Sequence, residues 1–231
     1  GCGDDAPPDP DPQPSTEPTW AVVHQGLPGA LLSVWSGSAE DVWAVGGDGS
    51  AGAFIWRSGG GEFTVQPLPD RVTERDTIYK VWGRADDDVW FVGSDGLVLR
   101  WDGTALESVP TGTNATLFTV HGDATRTFAV GGALGGAVLL SYDAGTWVDR
   151  SPPVDGLFGV AATSSLAVAV GQPRTLVESS GGDFAAVDGM GGGTETLHAV
   201  SLAPDGVEGF AVGGVIAAAP YLRGVVLRRV R

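Results

Sequence analysis

Between residues 77 and 110 apolar and polar runs follow one another in a regular order. The run TIYKVW gives way to a polar turn, RADDD, then to a second run, VWFVG, that ends in Val-Gly. A Gly-containing turn leads to a third run, LVLRW, and Asp102-Gly103 precedes a last short run that stops at Pro110. Short runs rich in β-branched and aromatic residues, bounded by Gly, Asp and Ser, are strand signals, so this stretch predicts four short strands. The same order appears in residues 31–69, LLSVWSGSAEDVWAVGGDGSAGAFIWRSGGGEFTVQPLP. It appears again in residues 116–152, with Phe128 and Tyr142 in place of Trp, and in more eroded form in residues 156–189. A fifth copy begins at Thr196.

One valine anchors each copy: Val34, Val81, Val120, Val160 and Val200, at intervals of 47, 39, 40 and 40 residues. A period of about 40–45 residues with four strands per repeat is that of a propeller blade. The fifth copy reaches only its third strand, near residues 224–230, while Trp20-Ala21-Val22-Val23 precedes the first copy. That segment sets an aromatic where the other fourth strands carry Phe63, Leu106, Trp147 and Phe184. An unpaired edge is a template for aggregation, so the expectation is an all-β, five-bladed β-propeller of four-stranded antiparallel blades, closed by the N-terminal strand and spanning residues 19–231. The blade pattern V-W-G-x-x-x-x-D-V-W-x-V-G, here Val81 to Gly93, resembles that of the secreted and lipoprotein β-propellers of GC-rich, myxobacterial-type bacteria. The resemblance covers residues 19–231 and implies the fold; it implies no particular activity, since propellers host many.

Composition sharpens the picture. The chain has 231 residues with 37 Gly and 15 Pro, which suits short strands and many tight turns. A net charge of -15 argues against nucleic acid and against an anionic membrane surface, both of which need clustered Lys and Arg. Of the basic residues only Lys80 is Lys, and this Arg bias fits a GC-rich genome. No run of about 18 apolar residues is present to span a bilayer. The single cysteine, Cys2, precedes an acidic, proline-rich stretch. This resembles a lipoprotein trimmed near its lipobox, with lipid on Cys2, residues 1–18 as a disordered tether, and a place in the cell envelope.

Candidate chemistry is sparse. Trp43, Trp90, Phe128 and Phe210 share one position of the repeat, and Trp56, Trp101 and Tyr142 are assigned to another; such equivalence favours packing between sheets over a ligand box. Asp41 and Asp88 precede Val-Trp and are expected to cap turns. The triplet Asp86, Asp87 and Asp88 offers oxygens to Ca²⁺ but lacks a D-x-D-x-D-G loop. His24, His121 and His198 lie whole blades apart with no H-x-x-x-H or C-x-x-C pairing, so no metal site and no cofactor are expected. His121 replaces a Trp and is expected to be a partly buried framework residue. His198 is the polar exception at a position held by Leu32, Tyr79, Phe118 and Phe158. There is no G-x-S-x-G, and the innermost strands carry no Asp or Glu, although Asp48, Asp76, Asp95, Asp155 and Glu195 could converge from loops as in glycosidases.

The leading expectation is therefore a non-enzymatic, lipid-anchored monomer that binds a protein or glycan partner through one loop face. The candidate contacts are Asp48, Asp76, Tyr79, Asp95, Arg174, His198 and Tyr221. The alternative is an extracytoplasmic glycan-active enzyme or lectin, and a pure spacer is a third reading.

Overall fold

The computed structural model describes residues 19–27, 29–48, 52–133, 135–189, 193–215 and 223–229. Residues 1–18, the expected tether with Cys2, and Tyr221 lie outside the described residues. Among the described residues, nineteen strands form five antiparallel sheets. The first contains β1 (Ala30–Ser36), β2 (Asp41–Asp48), β3 (Gly52–Gly59) and β4 (Phe63–Val65). The second contains β5 (Ile78–Ala85), β6 (Asp88–Gly93), β7 (Val98–Trp101) and β8 (Leu106–Ser108). The third contains β9 (Leu117–Gly122), β10 (Thr127–Ala133), β11 (Gly136–Asp143) and β12 (Thr146–Asp149), and the fourth β13 (Leu157–Ala162), β14 (Ala167–Gly171), β15 (Thr175–Ser179) and β16 (Ala185–Ala186). The fifth has three strands, β17 (Thr196–Leu202), β18 (Gly209–Gly214) and β19 (Val225–Arg229). The first strand of each sheet packs beside the first strand of the next.

The core lies between sheets. Each sheet turns a front face toward the sheet before it and a back face toward the sheet after it. Trp43 and Val45 on the back of the first sheet meet Val81, Phe91 and Leu99 on the front of the second. Trp90 and Val92 meet Val120, Leu140 and Trp147, and Phe128 and Val130 meet Val160, Val177 and Phe184. Rings of the second strand therefore touch rings of the next sheet: Trp90–Trp147 at 5.4 Å and Phe128–Phe184 at 5.6 Å between centroids. Trp43 and Trp90 are fully buried. At roughly 150–250 Å² per ring and about 25 cal/mol per Å², each contributes on the order of 4–6 kcal/mol as an upper bound.

Two expectations need correction. Pairing register sets Trp43 opposite Arg57 and Trp90 opposite Arg100, so Trp56 is equivalent to Leu99 and faces the front of the first sheet, two residues from the Trp101 and Tyr142 position. And Trp20-Ala21-Val22-Val23 does not complete the fifth sheet. It forms no strand, Trp20 is 105% exposed, and the adjoining His24 packs edge-on against Trp56 and Phe63 of the first sheet. Closure requires the back of the fifth sheet to meet the front of the first, yet both are wet: Phe210 and Val226 are 47% and 68% exposed on one, Val34 is 66% exposed on the other.

The Val-Gly signature has a steric cause. A Cβ on Gly46, Gly93, Gly131, Gly171 or Gly213 would lie 1.8–2.2 Å from the carbonyl oxygen of Ala30, Thr77, Thr116, Gly156 or Thr196. These carbonyls sit at or just before the start of each innermost strand, where the pairing slips by one residue into a β-bulge. The second-strand glycine admits the backbone that makes the bulge. Gly131→Ala should therefore lower stability by about 1–3 kcal/mol in urea unfolding, as overpacking does, whereas Gly61→Ala, with open space around it, should stay within about 0.5 kcal/mol. Equal midpoints for the two variants would refute this account.

Candidate functional site

The bulged residues are Leu32, Tyr79, Phe118, Phe158 and His198, one per sheet. A bulge re-aims one side chain out of the regular alternation. Here the re-aimed rings meet from sheet to sheet along the inner wall. Tyr79 lies 5.8 Å from Phe118, Phe118 stacks on Phe158 at 5.1 Å, and Phe158 meets His198 edge-on at 6.0 Å. All four rings are half-buried, and Leu32 continues the arc as an exposed residue. The arc is pinned from behind: Thr119 Oγ1 donates to the Phe158 carbonyl at 2.7 Å, and His198 Nε2 lies 3.3 Å from the Gly214 carbonyl. It stands near the starts of the innermost strands, on the side of the sheet-to-sheet linkers. Of the residues singled out from sequence, only Tyr79 and His198 belong to it. Phe118 and Phe158, which join them, were read there as ordinary positions of the repeat.

Asp76, Asp95, Asp155, Arg174 and Glu195 are committed to the scaffold. Asp76 is buried and accepts hydrogen bonds from Thr73 N at 2.8 Å, Thr73 Oγ1 at 2.9 Å and Ser94 Oγ at 3.1 Å. Asp95 occupies a left-handed turn (φ 49°), and its carbonyl accepts from Arg71 at 2.8 Å. Arg174 pairs with Glu195 at 2.6 Å, tying the β14–β15 turn to the linker that enters β17. The Glu195 carboxyl lies below its ordinary range because its own backbone amide and the Arg174 guanidinium stabilise the anion. Asp155 accepts from the Gly135 amide, and Asp48 ends β2 opposite Gly52. The carboxylates of Asp76, Asp155 and Glu195 serve three different linkers and do not converge.

Asp41 and Asp88 are not turn caps. Ser38 Oγ accepts from the Glu40 and Asp41 amides in the first turn. Asp41 is buried and binds Arg57 at 2.7 Å, and Arg57 lies 4.4 Å over Trp43 and 4.7 Å over Trp101. Asp88 binds Arg84 and, at 2.9 Å, Arg100, which lies 5.0 Å over Trp90. Each Asp thus holds a guanidinium over the tryptophan between two sheets, adding cation–π attraction to burial. Trp43 Nε1 also donates to Asp41 at 3.2 Å, whereas Trp90 Nε1 has no hydrogen-bond partner among the described residues. Among the described residues no three His, Cys, Asp or Glu side chains gather where a metal ion could be held, the Asp86–Asp88 turn included.

Similarity to solved structures follows this geometry. The chain is similar to YCF48 bound to a D1 peptide, with 15% identity and a TM-score of 0.57 over 80% of this chain and 61% of that one. It is similar also to the WD40 β-propeller domain of Doa1, with 10% identity and a TM-score of 0.59 over 82% of this chain and 63% of that one. The fold is a β-propeller. The propeller described here spans less than two thirds of the length of either. No protein-family model matches the sequence, and no curated protein matches it.

His121 ties the propeller's third sheet to the fourth. Its ring lies 5.2 Å from Trp82, and its Nδ1 accepts from the Ala162 amide at 3.2 Å, which requires the neutral tautomer protonated on Nε2. Burial and the charge of Lys80 hold its pKa below the ordinary imidazole value, against a smaller opposing pull from Asp123. The unfolded chain then binds a proton first, so stability should fall as pH drops below about 6.5, the unfolded value. Urea midpoints measured from pH 7.5 to 5.5 should decline more steeply for the native chain than for His121→Gln; parallel slopes would contradict this role.

Proposed function

We propose that the chain is a non-enzymatic binding module, lipid-anchored through Cys2, that takes an extended protein segment along the inner aromatic arc. The observation that carries this reading is the continuous ladder Tyr79, Phe118, Phe158 and His198. Rigid, half-exposed aromatics set on strands offer large contact area at low entropic cost, which is what a recognition surface needs. The polar residues support a binding role over a catalytic one: Asp41, Asp76, Asp88 and Glu195 are each engaged by arginine, amide or hydroxyl donors. The YCF48 propeller, solved with a D1 peptide, supports a peptide as the kind of ligand this fold accommodates. A glycan is the second reading, favoured by the half-exposed ring faces of Phe118 and Phe158, on which a sugar could stack.

Selection from a random linear-peptide library, with a glycan array in parallel, tests the choice. Selected peptides should lose about tenfold or more in affinity, on the scale of 1.4 kcal/mol or above, in Phe118→Ala or Phe158→Ala, while Asp183→Asn, an exposed outer position, leaves it unchanged. Peptides indifferent to both aromatic variants, or array binding without peptide binding, would overturn the reading. In cells, Cys2→Ser in the precursor should move the protein from the membrane to the soluble fraction.

A further inference from the structure

In the second, third and fourth sheets the outermost strand sets a large apolar side chain against the sheet before it. Leu106 packs beside Trp43, Trp147 against Trp90, and Phe184 against Phe128. Between the fourth and fifth sheets no described residue takes that place. Among the described residues β19 pairs with β18 alone, and beside its free edge lies a slot of about 280 Å³ lined by Val168, Leu176, Val187, Leu202, Ala211 and Leu227. The first sheet carries the opposite imbalance. Its front holds Val34, Trp56 and Phe63 around a groove of about 590 Å³, which Val23, His24 and Leu27 also line. Just upstream, Trp20 and Val22 stand in solvent with apolar side chains and no partner strand.

We infer that the 19–23 segment of a second copy of this chain fills the slot as the fourth strand of the fifth sheet. The repeat fixes the register. Trp147 pairs with Tyr142, whose equivalent in β19 is Arg229, so Trp20 falls opposite Arg229, Ala21 opposite Arg228 and Val22 opposite Leu227. Trp20 and Val22 then face the slot. His24 of that copy stays on its own Trp56 and Phe63, which brings the front of its first sheet onto Phe210, Val212 and Val226 at the back of the other copy's fifth sheet. One head-to-tail contact covers both wet apolar faces and the free edge.

The same chain does not supply the strand. Four residues span at most roughly 14 Å and are used up in lying along β19. Val23 must then adjoin both β19 and the first sheet, which requires the two sheets at packing distance, about 10 Å; the exposure of Phe210, Val226 and Val34 excludes it. This replaces the monomer expected from sequence and is independent of the ligand proposed for the arc.

The test uses the 231-residue chain with Cys2→Ser, Ala21→Cys and Arg228→Cys, oxidised and run on a non-reducing gel beside each single-cysteine control. A disulfide-linked dimer or ladder, in yield well above the controls, is expected. Sedimentation of the chain without engineered cysteines should show association that Trp20→Ala weakens by tenfold or more. Because Trp20 is fully exposed in the single chain, its replacement leaves the fold intact, as a circular dichroism melt checks. A disulfide within one chain, free thiols on a monomer, or association indifferent to Trp20→Ala would each overturn the inference.

Discussion

A short sheet with an apolar front and an apolar back cannot keep both in water, and the packing of one sheet's back on the next sheet's front is the interaction on which the rest of this structure depends. The first three interfaces are built the same way, with a second-strand aromatic set against apolar side chains of the following sheet. In the first two interfaces an Asp-bound Arg lies over that ring. The fourth interface has Val168 in the aromatic's place and a Glu178–Arg229 pair across the sheets. The slot of about 280 Å³ lies in this interface.

Sheet packing also builds the candidate binding surface. The second-strand glycine lets a carbonyl of the innermost strand approach, the approach forces a bulge, and the bulge turns Tyr79, Phe118, Phe158 and His198 out of the alternation. These rings can then touch only because their strands are held side by side by the cores behind them. The arc is a product of the interfaces and has no loop of its own to hold it.

The repeat, its strands and the inter-sheet placing of Trp43 and Trp90 were legible in the sequence, because period and alternation report directly on backbone geometry. The partners of Asp41 and Asp88 were not, since Arg57 and Arg100 lie 16 and 12 residues away on the neighbouring strand, and Asp-Val-Trp alone reads as a turn. The shared column of Leu32, Tyr79, Phe118, Phe158 and His198 was visible, but not that a bulge makes it a surface. Taken with the recurrent Val-Gly, which signals a forbidden Cβ, the column could have pointed to Phe118 and Phe158. The pairing of Trp20–Val23 with the fifth sheet was not legible, because strand propensity there says nothing about whether the first and fifth sheets come within reach. That depends on the summed rotation across four interfaces.

If stability passes from sheet to sheet and the array has two ends, protection must follow position. Amide hydrogen exchange on the Trp20→Ala chain, which keeps copies apart, tests this most directly. The account predicts the slowest exchange in β6, β10 and β14, faster exchange in β2, and the fastest in β18 and β19. Uniform protection across all five sheets would mean a ring without ends, and would contradict it.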